Sequence, residues 1–393
     1  MTVSVNAVIA ALLKHKNVLI YGPPGTGKSH LMNEVAREFA NFVEGSNGSK
    51  SVYLDTDAER VPLVERAQRN FVTRWVTFHQ GYSYEDFVLG MRPEASGDKL
   101  FSLAPRAGVL LQLAAEAQKG TALLLIDEIN RGNTSRIFGE FITLMEPGKR
   151  LDENGARAST TITVELPYLA PDESLVVNVS SGDAVTIGQS FAMPARLYTL
   201  ASMNSVDKSI APIDTALRRR FHIIGLFPST ADLREAAGLS RTDDGALDPI
   251  GATLDKPGVA RLAVAVLEKL NRGIGLHLGQ DFMLGQWYLE AVRRADASDA
   301  PSELVQTWLF RIVPQLMELF HGRIEVLISL LNLAQAKGKS GLLMFEPDSD
   351  ELEAGAIAYL ASQEPPPEEG EIVEFLQWLG DAPKSTSDHT APA

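Results

Sequence analysis

The stretch Gly22-Pro23-Pro24-Gly25-Thr26-Gly27-Lys28-Ser29 lies between an apolar, strand-like run over residues 18–21 and a helix-like run over residues 31–39. No other stretch narrows the choice of fold as much. Glycines at this spacing let the backbone curl so that successive N–H groups point inward at the head of a helix, whose dipole favours anions. The full G-x-x-x-x-G-K-S pattern between strand and helix is a phosphate-binding loop, and a chance Gly/Pro turn explains it poorly. Lys28 is expected to reach the β and γ phosphates of a nucleotide and the Ser29 hydroxyl to ligate Mg²⁺, with His30 closing the binding stretch 22–30.

The acid partner of such a loop follows a second apolar strand. Residues 121–126 (Thr-Ala-Leu-Leu-Leu-Ile) are apolar on both faces, as a central parallel strand must be, and end in Asp127-Glu128. Ligands of open α/β sheets gather at the carboxyl ends of strands, which places both acids beside the loop. Asp127 is then expected in the Mg²⁺ shell and Glu128 as the base that polarises a water for attack on the γ phosphate. Asn204, at the end of the run 196–201, reads either as a turn residue or as a group that positions that water. The arginine triplet Arg218-Arg219-Arg220 reads as a solvated face, a nucleic-acid contact or, in a nucleotidase, an arginine finger.

Composition narrows the class. A chain of 393 residues without cysteine excludes disulfides, thiol catalysis and Cys-ligated zinc. No apolar run approaches the roughly 18 residues of a membrane span, and the first 16 residues lack a signal-peptide layout, so a cytoplasmic protein with no membrane contact is expected. A formal charge of −14 argues against a large non-specific nucleic-acid surface. His79 has no partner at ligand spacing, and a loop contact is expected of it rather than a metal.

In chain order, residues 1–228 read as an α/β nucleotide-binding domain, with strands over 51–54 and 75–79, a helix over 130–150 and a β-hairpin insertion over 151–190 that projects from the domain. Beyond Pro228 strand signals cease, and residues 229–362 read as an all-helical domain with runs over 231–237, 259–273, 281–294, 303–320 and 324–336. Residues 363–393 are acidic and Pro-rich and read as a largely disordered tail. One apolar island, 372–379, is suited to dock as a short helix.

The assembled motifs resemble the AAA+ superfamily and, within it, the McrB family, the NTPase subunits of McrBC-type modification-dependent restriction systems. The resemblance rests on Phe78-His79-Gln80-Gly81-Tyr82-Ser83-Tyr84-Glu85-Asp86-Phe87 with Met91-Arg92-Pro93, and on Ile126-Asp127-Glu128-Ile129-Asn130-Arg131. It rests also on Phe138-Gly139-Glu140, Leu144-Met145-Glu146, Lys149-Arg150, and Met203-Asn204 with Asp207 and Ser209 before Ala216-Leu217-Arg218-Arg219-Arg220-Phe221. In the helical part, Leu270-Asn271 and Phe282-Met283-Leu284-Gly285 are similar to the family's lid pattern. Together these motifs cover roughly residues 15–335.

The resemblance implies a five-stranded parallel sheet of AAA+ order with a C-terminal helical lid, a homo-hexameric ring and nucleotide held between neighbouring subunits. It implies Asn204 as sensor 1, Arg219 and Arg220 as trans-acting fingers, an McrC-like nuclease partner, and DNA reached through the pore or that partner. Tyr82 and Tyr84, on the loop leaving a sheet strand, are expected either to face the pore or to fill space beneath that loop. Three departures stand out. The loop begins at residue 22, so the N-terminal DNA-recognition domain is expected to be missing. Asn204-Ser205-Val206-Asp207 replaces the family's Asn-Thr-Ala-Asp, leaving ATP or GTP open, and Gly285-Gln286-Trp287 carries no arginine for a sensor 2 role. The alternative reading is a MoxR-like chaperone ATPase that remodels a protein partner.

Overall fold

The computed structural model describes residues 3–44, 53–55, 60–62, 70–96, 99–206, 215–331 and 368–381. These group into two compact units, Val3–Gly22 with Lys28–Leu226, and Pro23–Gly27 with the chain from Phe227 onward.

The first unit is built on five parallel strands: β1 (Asn17–Gly22), β2 (Phe71–Thr77), β3 (Thr121–Asp127), β4 (Leu197–Asn204) and β5 (His222–Gly225), in the order β5-β1-β4-β3-β2. In the register, Gly22 lies opposite Asn204, Ala201 opposite Ile126, and Thr77 opposite Asp127. Successive side chains of a strand point to opposite faces, and β3 shows why its run is apolar throughout. Leu123 and Leu125 join the layer made by helices α1 (Val5–His15) and α2 (Lys28–Glu44), through Val8, Ile9, Leu12, Met32, Val35 and Phe39. Ala122, Leu124 and Ile126 join the opposite layer, with Leu110, Leu111 and Ala114 of α3 (Val109–Lys119) and with Ile137, Phe138 and Phe141.

The expected helix over 130–150 is instead a chain of short turns: Ile129–Arg131, Thr134–Phe138, Phe141–Leu144 and Pro147–Lys149. Gly139, at φ +50°, interrupts it. The apolar side chains still bury, which is why the periodicity resembles that of one helix. The strand expected over 51–54 contributes Tyr53–Asp55 to a separate two-stranded ribbon with Arg60–Pro62. In the insertion, Ser174–Asn178 pairs antiparallel with Ala184–Gly188, and Val164–Glu165 with Ser190–Phe191. It does not project. Val177, Val185 and Ile187 are buried in the core, and Glu116 of α3 accepts from both the N–H and the hydroxyl of Ser180 at 2.8 Å.

The amino ends of β1 and β4 are tied by a buried guanidinium. Arg150 donates to the carbonyls of Leu144 (3.2 Å), Met145 (2.9 Å) and Leu197 (2.5 Å) and to Asn17 Oδ1 (2.8 Å). Asn17 in turn donates to the carbonyls of Met145 (2.6 Å) and Arg220 (3.0 Å). Burial without a carboxylate pulls the Arg150 pKa down to about 10, so the group stays charged at neutral pH.

The second unit is helical from Thr230–Ala236 through the long α4 (Lys256–His277) to Ile324–Leu330. The helix expected over 281–294 breaks into Gln280–Phe282, Gln286–Leu289 and Glu290–Arg294, with Gly285 at the break. The run 303–320 is continuous but passes through a π-turn, Trp308–Ile312, just before Pro314, whose missing N–H such a turn accommodates. The tail expectation is corrected over 369–381. These residues form α5 (Glu369–Asp381), whose Ile372, Phe375, Leu376 and Leu379 are buried with Leu262, Val266 and Trp308 in this unit's core. Residues 382–393 lie outside those described. Among the described residues no helix is long and apolar enough to cross a membrane.

Arg150→Met is expected to take the guanidinium donor from the buried carbonyls of Leu144 and Leu197, while Asn17 still serves that of Met145, and to cost about 3 kcal/mol. Arg150→Lys should recover only part, because an ammonium cannot span the same fork of acceptors. Urea unfolding monitored by circular dichroism measures both.

Candidate functional site

The sheet order brings the carboxyl ends of β1, β4 and β3 side by side, and the chemistry-bearing residues of the first unit collect there. Lys28, the first residue of α2, is 7% exposed, and its Nζ donates to the carbonyl of Gly22 at 3.0 Å. That bond folds the lysine back over the end of β1. One residue further into the anion-favouring end of α2, Ser29 Oγ lies 3.4 Å from both carboxylate oxygens of Asp127. His30 points along the helix surface, with Nε2 3.6 Å from Glu34 Oε1.

Two side chains on one face of β4 hold the acids at the end of β3. Ser202, fully buried, donates from its hydroxyl to Asp127 Oδ1 and accepts from the Glu128 N–H at 3.1 Å. Asn204 donates from Nδ2 to Glu128 Oε1, and its own carbonyl accepts from Asn130 Nδ2 at 3.4 Å. Glu128 Oε2 lies 3.4 Å from Arg131 Nε. Glu128 sits in the left-handed region at φ 54°, ψ 49°, a conformation costing a non-glycine residue on the order of 1–3 kcal/mol and held here by the surrounding bonds. The turn redirects the chain at once after β3, so Asp127 and Glu128 face the same end of the sheet.

The arginines behave differently from one another. Arg220 Nη1 donates to the carbonyl of Ala216 at 2.7 Å, and Nη2 lies 4.0 Å from Glu146 Oε2, so its guanidinium is engaged by its own turn and by the turn that carries Glu146. Arg219 is exposed. Neither meets Lys28, Asp127 or Glu128 in the hydrogen bonds and ion pairs of the described residues. Asp207 and Ser209 lie outside the described residues.

Tyr82 and Tyr84 are partly buried rather than presented on a free loop. Tyr82 stacks on Phe78 at 5.1 Å and meets Phe87 edge-on at 6.1 Å. Tyr84 donates to Glu140 Oε1 at 2.6 Å, and burial, with that bond, pushes its phenol well above the ordinary range. His79 packs edge-on against Tyr82, the loop contact expected of it.

The oxygen donors suit a hard cation. Ser29 and Asp127 offer only hydroxyl and carboxylate oxygens, and no cluster of three or more His, Asp or Glu competes among the described residues. Such a sparse protein shell fits Mg²⁺, which keeps several waters and completes its sphere with phosphate oxygens.

A parallel sheet of this order, with a phosphate loop after β1 and a bridged acid pair after β3, defines a P-loop domain of the AAA type. Residues 61–221 match the AAA domain (dynein-related subfamily), and residues 18–73 match the ATPase family associated with various cellular activities (AAA). Residues 262–327 match the McrB alpha-helical lid domain. The chain thus carries an AAA domain and, after it, a helical lid domain of the McrB type. It is 32% identical over 228 residues to the type IV methyl-directed restriction enzyme EcoKMcrB subunit of Escherichia coli (strain K12), an alignment spanning 57% of this chain and 38% of that protein. It is 26% identical over 231 residues to the type II restriction enzyme BsuMI component YdiS of Bacillus subtilis (strain 168), spanning 52% of this chain and 55% of that protein. The chain thus covers 38% and 55% of the lengths of these two relatives.

Ser202 is the site residue that the sequence reading passes over. Its signal is a small hydroxyl in an otherwise apolar strand two residues before Asn204, on the same face by the period of two. Ser202→Ala is expected to fold normally but to lower nucleotide turnover by roughly 10–100-fold, the usual effect of removing a group that orients a functional carboxylate. Turnover and binding measured on the same preparation check this, with binding expected to change little.

Proposed function

We propose that the chain is a Mg²⁺-dependent nucleoside triphosphatase, hydrolysing ATP or GTP, and the ring-forming motor subunit of an McrBC-like restriction and defence system. The observation that supports this most is the pair of acids held apart in function by two different partners, Asp127 by Ser202 and Glu128 by Asn204. In this reading the amides of residues 25–29 take up phosphate oxygens and Lys28 moves from the Gly22 carbonyl onto the β and γ phosphates. Ser29 and Asp127 hold Mg²⁺, which when bound neutralises charge on the β and γ phosphates. Glu128 exchanges its bond to Asn204 for a water and takes that water's proton as its oxygen bonds to the γ phosphorus; the bond from that phosphorus to the β–γ bridging oxygen breaks, and the nucleoside diphosphate leaves, while Asn204 keeps the water in line.

Arg219 is the better finger candidate, because its exposed guanidinium is available to a neighbouring subunit while that of Arg220 is engaged locally. This reading carries a homo-hexamer, an McrC-like nuclease partner, DNA reached through the pore or that partner, and a cytoplasmic setting. The McrB-type lid over residues 262–327 favours it over a MoxR-like chaperone. The contacts of Tyr82 with Phe78 and Phe87 and of Tyr84 with Glu140 support a role for both in holding their loop.

Phosphate release by the purified chain with ATP and GTP side by side, alone and with the product of the adjacent gene, tests the proposal. Mg²⁺-dependent release that the partner stimulates is expected, and no release with either nucleotide, with or without the partner, would overturn it. Lys28→Ala should abolish nucleotide binding, whereas Glu128→Gln should bind and lose turnover by roughly two to four orders of magnitude. Mixing Arg219→Ala with Glu128→Gln subunits should give activity above either variant alone, because some interfaces regain both groups. A co-assembled mixture no more active than its parents would place Arg219 outside the reaction in trans.

A further inference from the structure

Within the second unit, the break at Gly285 meets the residues Pro23–Gly27. The carbonyl of Gly25 accepts from the Trp287 N–H at 2.9 Å, and the carbonyl of Thr26 accepts from Gln286 Nε2 at 2.6 Å. Gly285 is pressed so closely on the loop that an added Cβ would lie 2.0 Å from the carbonyl carbon of Gly25. The segment that does this is itself clamped. Asn271, buried in α4, donates to the carbonyl of Leu284 at 2.9 Å and accepts from the Leu284 N–H at 2.6 Å, so both polar groups of one residue's backbone are held by one carboxamide.

A trans peptide points its C=O and N–H in opposite directions. The Gly25 carbonyl shares a peptide plane with the Thr26 N–H, and the Thr26 carbonyl shares one with the Gly27 N–H. Donors that hold both oxygens on one side of the loop therefore aim both amides to the other side, into the curl that collects phosphate oxygens. Gly25 and Gly27 stand at φ +75° and +84°, and glycine reaches other regions as readily, so local conformational preference does not lock these planes. An outside contact must do so.

The geometry points to Gln286 and Asn271 as positioning residues for triphosphate binding. Gln286, beside the Trp287 amide, orients the loop amides, and Asn271 places the Gly285–Trp287 backbone that carries both donors. The inference rests on the reading of residues 22–29 as a triphosphate loop. It also accounts for the arginine-free Gly285-Gln286-Trp287, whose contribution goes into the shape of the loop rather than into a cation on the phosphates. Gln286 Oε1 is buried with no hydrogen-bond partner among the described residues, so a carboxylate there would place a charge against the Thr26 carbonyl and near the bound phosphates.

Equilibrium binding of a non-hydrolysable triphosphate analogue with Mg²⁺ to the full chain tests this, with thermal melting of the nucleotide-free protein alongside. Gln286→Ala should raise Kd by roughly three- to ten-fold, the weight of one hydrogen bond, with an unchanged melting midpoint. Gln286→Glu should be worse than Gln286→Ala. Asn271→Ala should raise Kd and lower the midpoint, and adding Gln286→Ala to it should cost less than Gln286→Ala alone, because both act through one contact. If Gln286→Ala binds like wild type while Lys28→Ala does not bind, the positioning role is overturned and the loop reading stands. If Lys28→Ala binds like wild type, both fall. Additive losses in the double variant would overturn the part assigned to Asn271.

Discussion

The first unit depends on the parallel register of β4 between β1 and β3. With Gly22 opposite Asn204 and Ala201 opposite Ile126, the strands stop at nearly the same level, so the loop, the acid pair and the carboxamide emerge together. Parallel neighbours need long crossovers, and these carry the helices that bury both faces of the sheet. A sheet covered on both faces offers solvent access mainly at its ends, and the site is at the end where the carboxyl termini of the strands meet.

The two ends of β1 and β4 are treated differently. At the amino ends Arg150 and Asn17 satisfy buried carbonyls with a fixed fork of donors, an arrangement suited to rigidity. At the carboxyl ends Ser202 and Asn204 hold carboxylates by single hydrogen bonds, and those can be exchanged for water or substrate. The left-handed turn at Glu128 belongs to this second end, where a strained backbone persists because its neighbours hold it.

Much of this is legible from residues close together in the chain. The phosphate loop, the strand before Asp127-Glu128 and the helical second unit announce themselves by spacing and period. What the chain conceals depends on partners distant in sequence. Ser202 matters only once β4 is known to lie against β3, and Asn271 only once Leu284 is seen folded back on it. The apolar period over 130–150 is real, but Gly139 turns it into short pieces that bury the same side chains. The burial of Tyr84 is hidden in the chain because its hydrogen-bond partner Glu140 comes more than fifty residues later, and that of Tyr82 because Phe78 and Phe87 meet it only once the loop has turned back. Helix α3 escapes the reading, and the tail helix α5 is legible only as an apolar island, since composition says little about what such an island will meet.

The most direct test of the central claim is a structure of the assembled protein with Mg²⁺ and a non-hydrolysable triphosphate. The γ phosphate is expected within hydrogen-bond distance of Lys28 Nζ, Mg²⁺ beside Ser29 and Asp127, and a water between Glu128 and Asn204 in line with the phosphorus. A triphosphate bound away from residues 22–29, or one bound there with Asp127 and Glu128 out of reach of its Mg²⁺ and its attacking water, would contradict it.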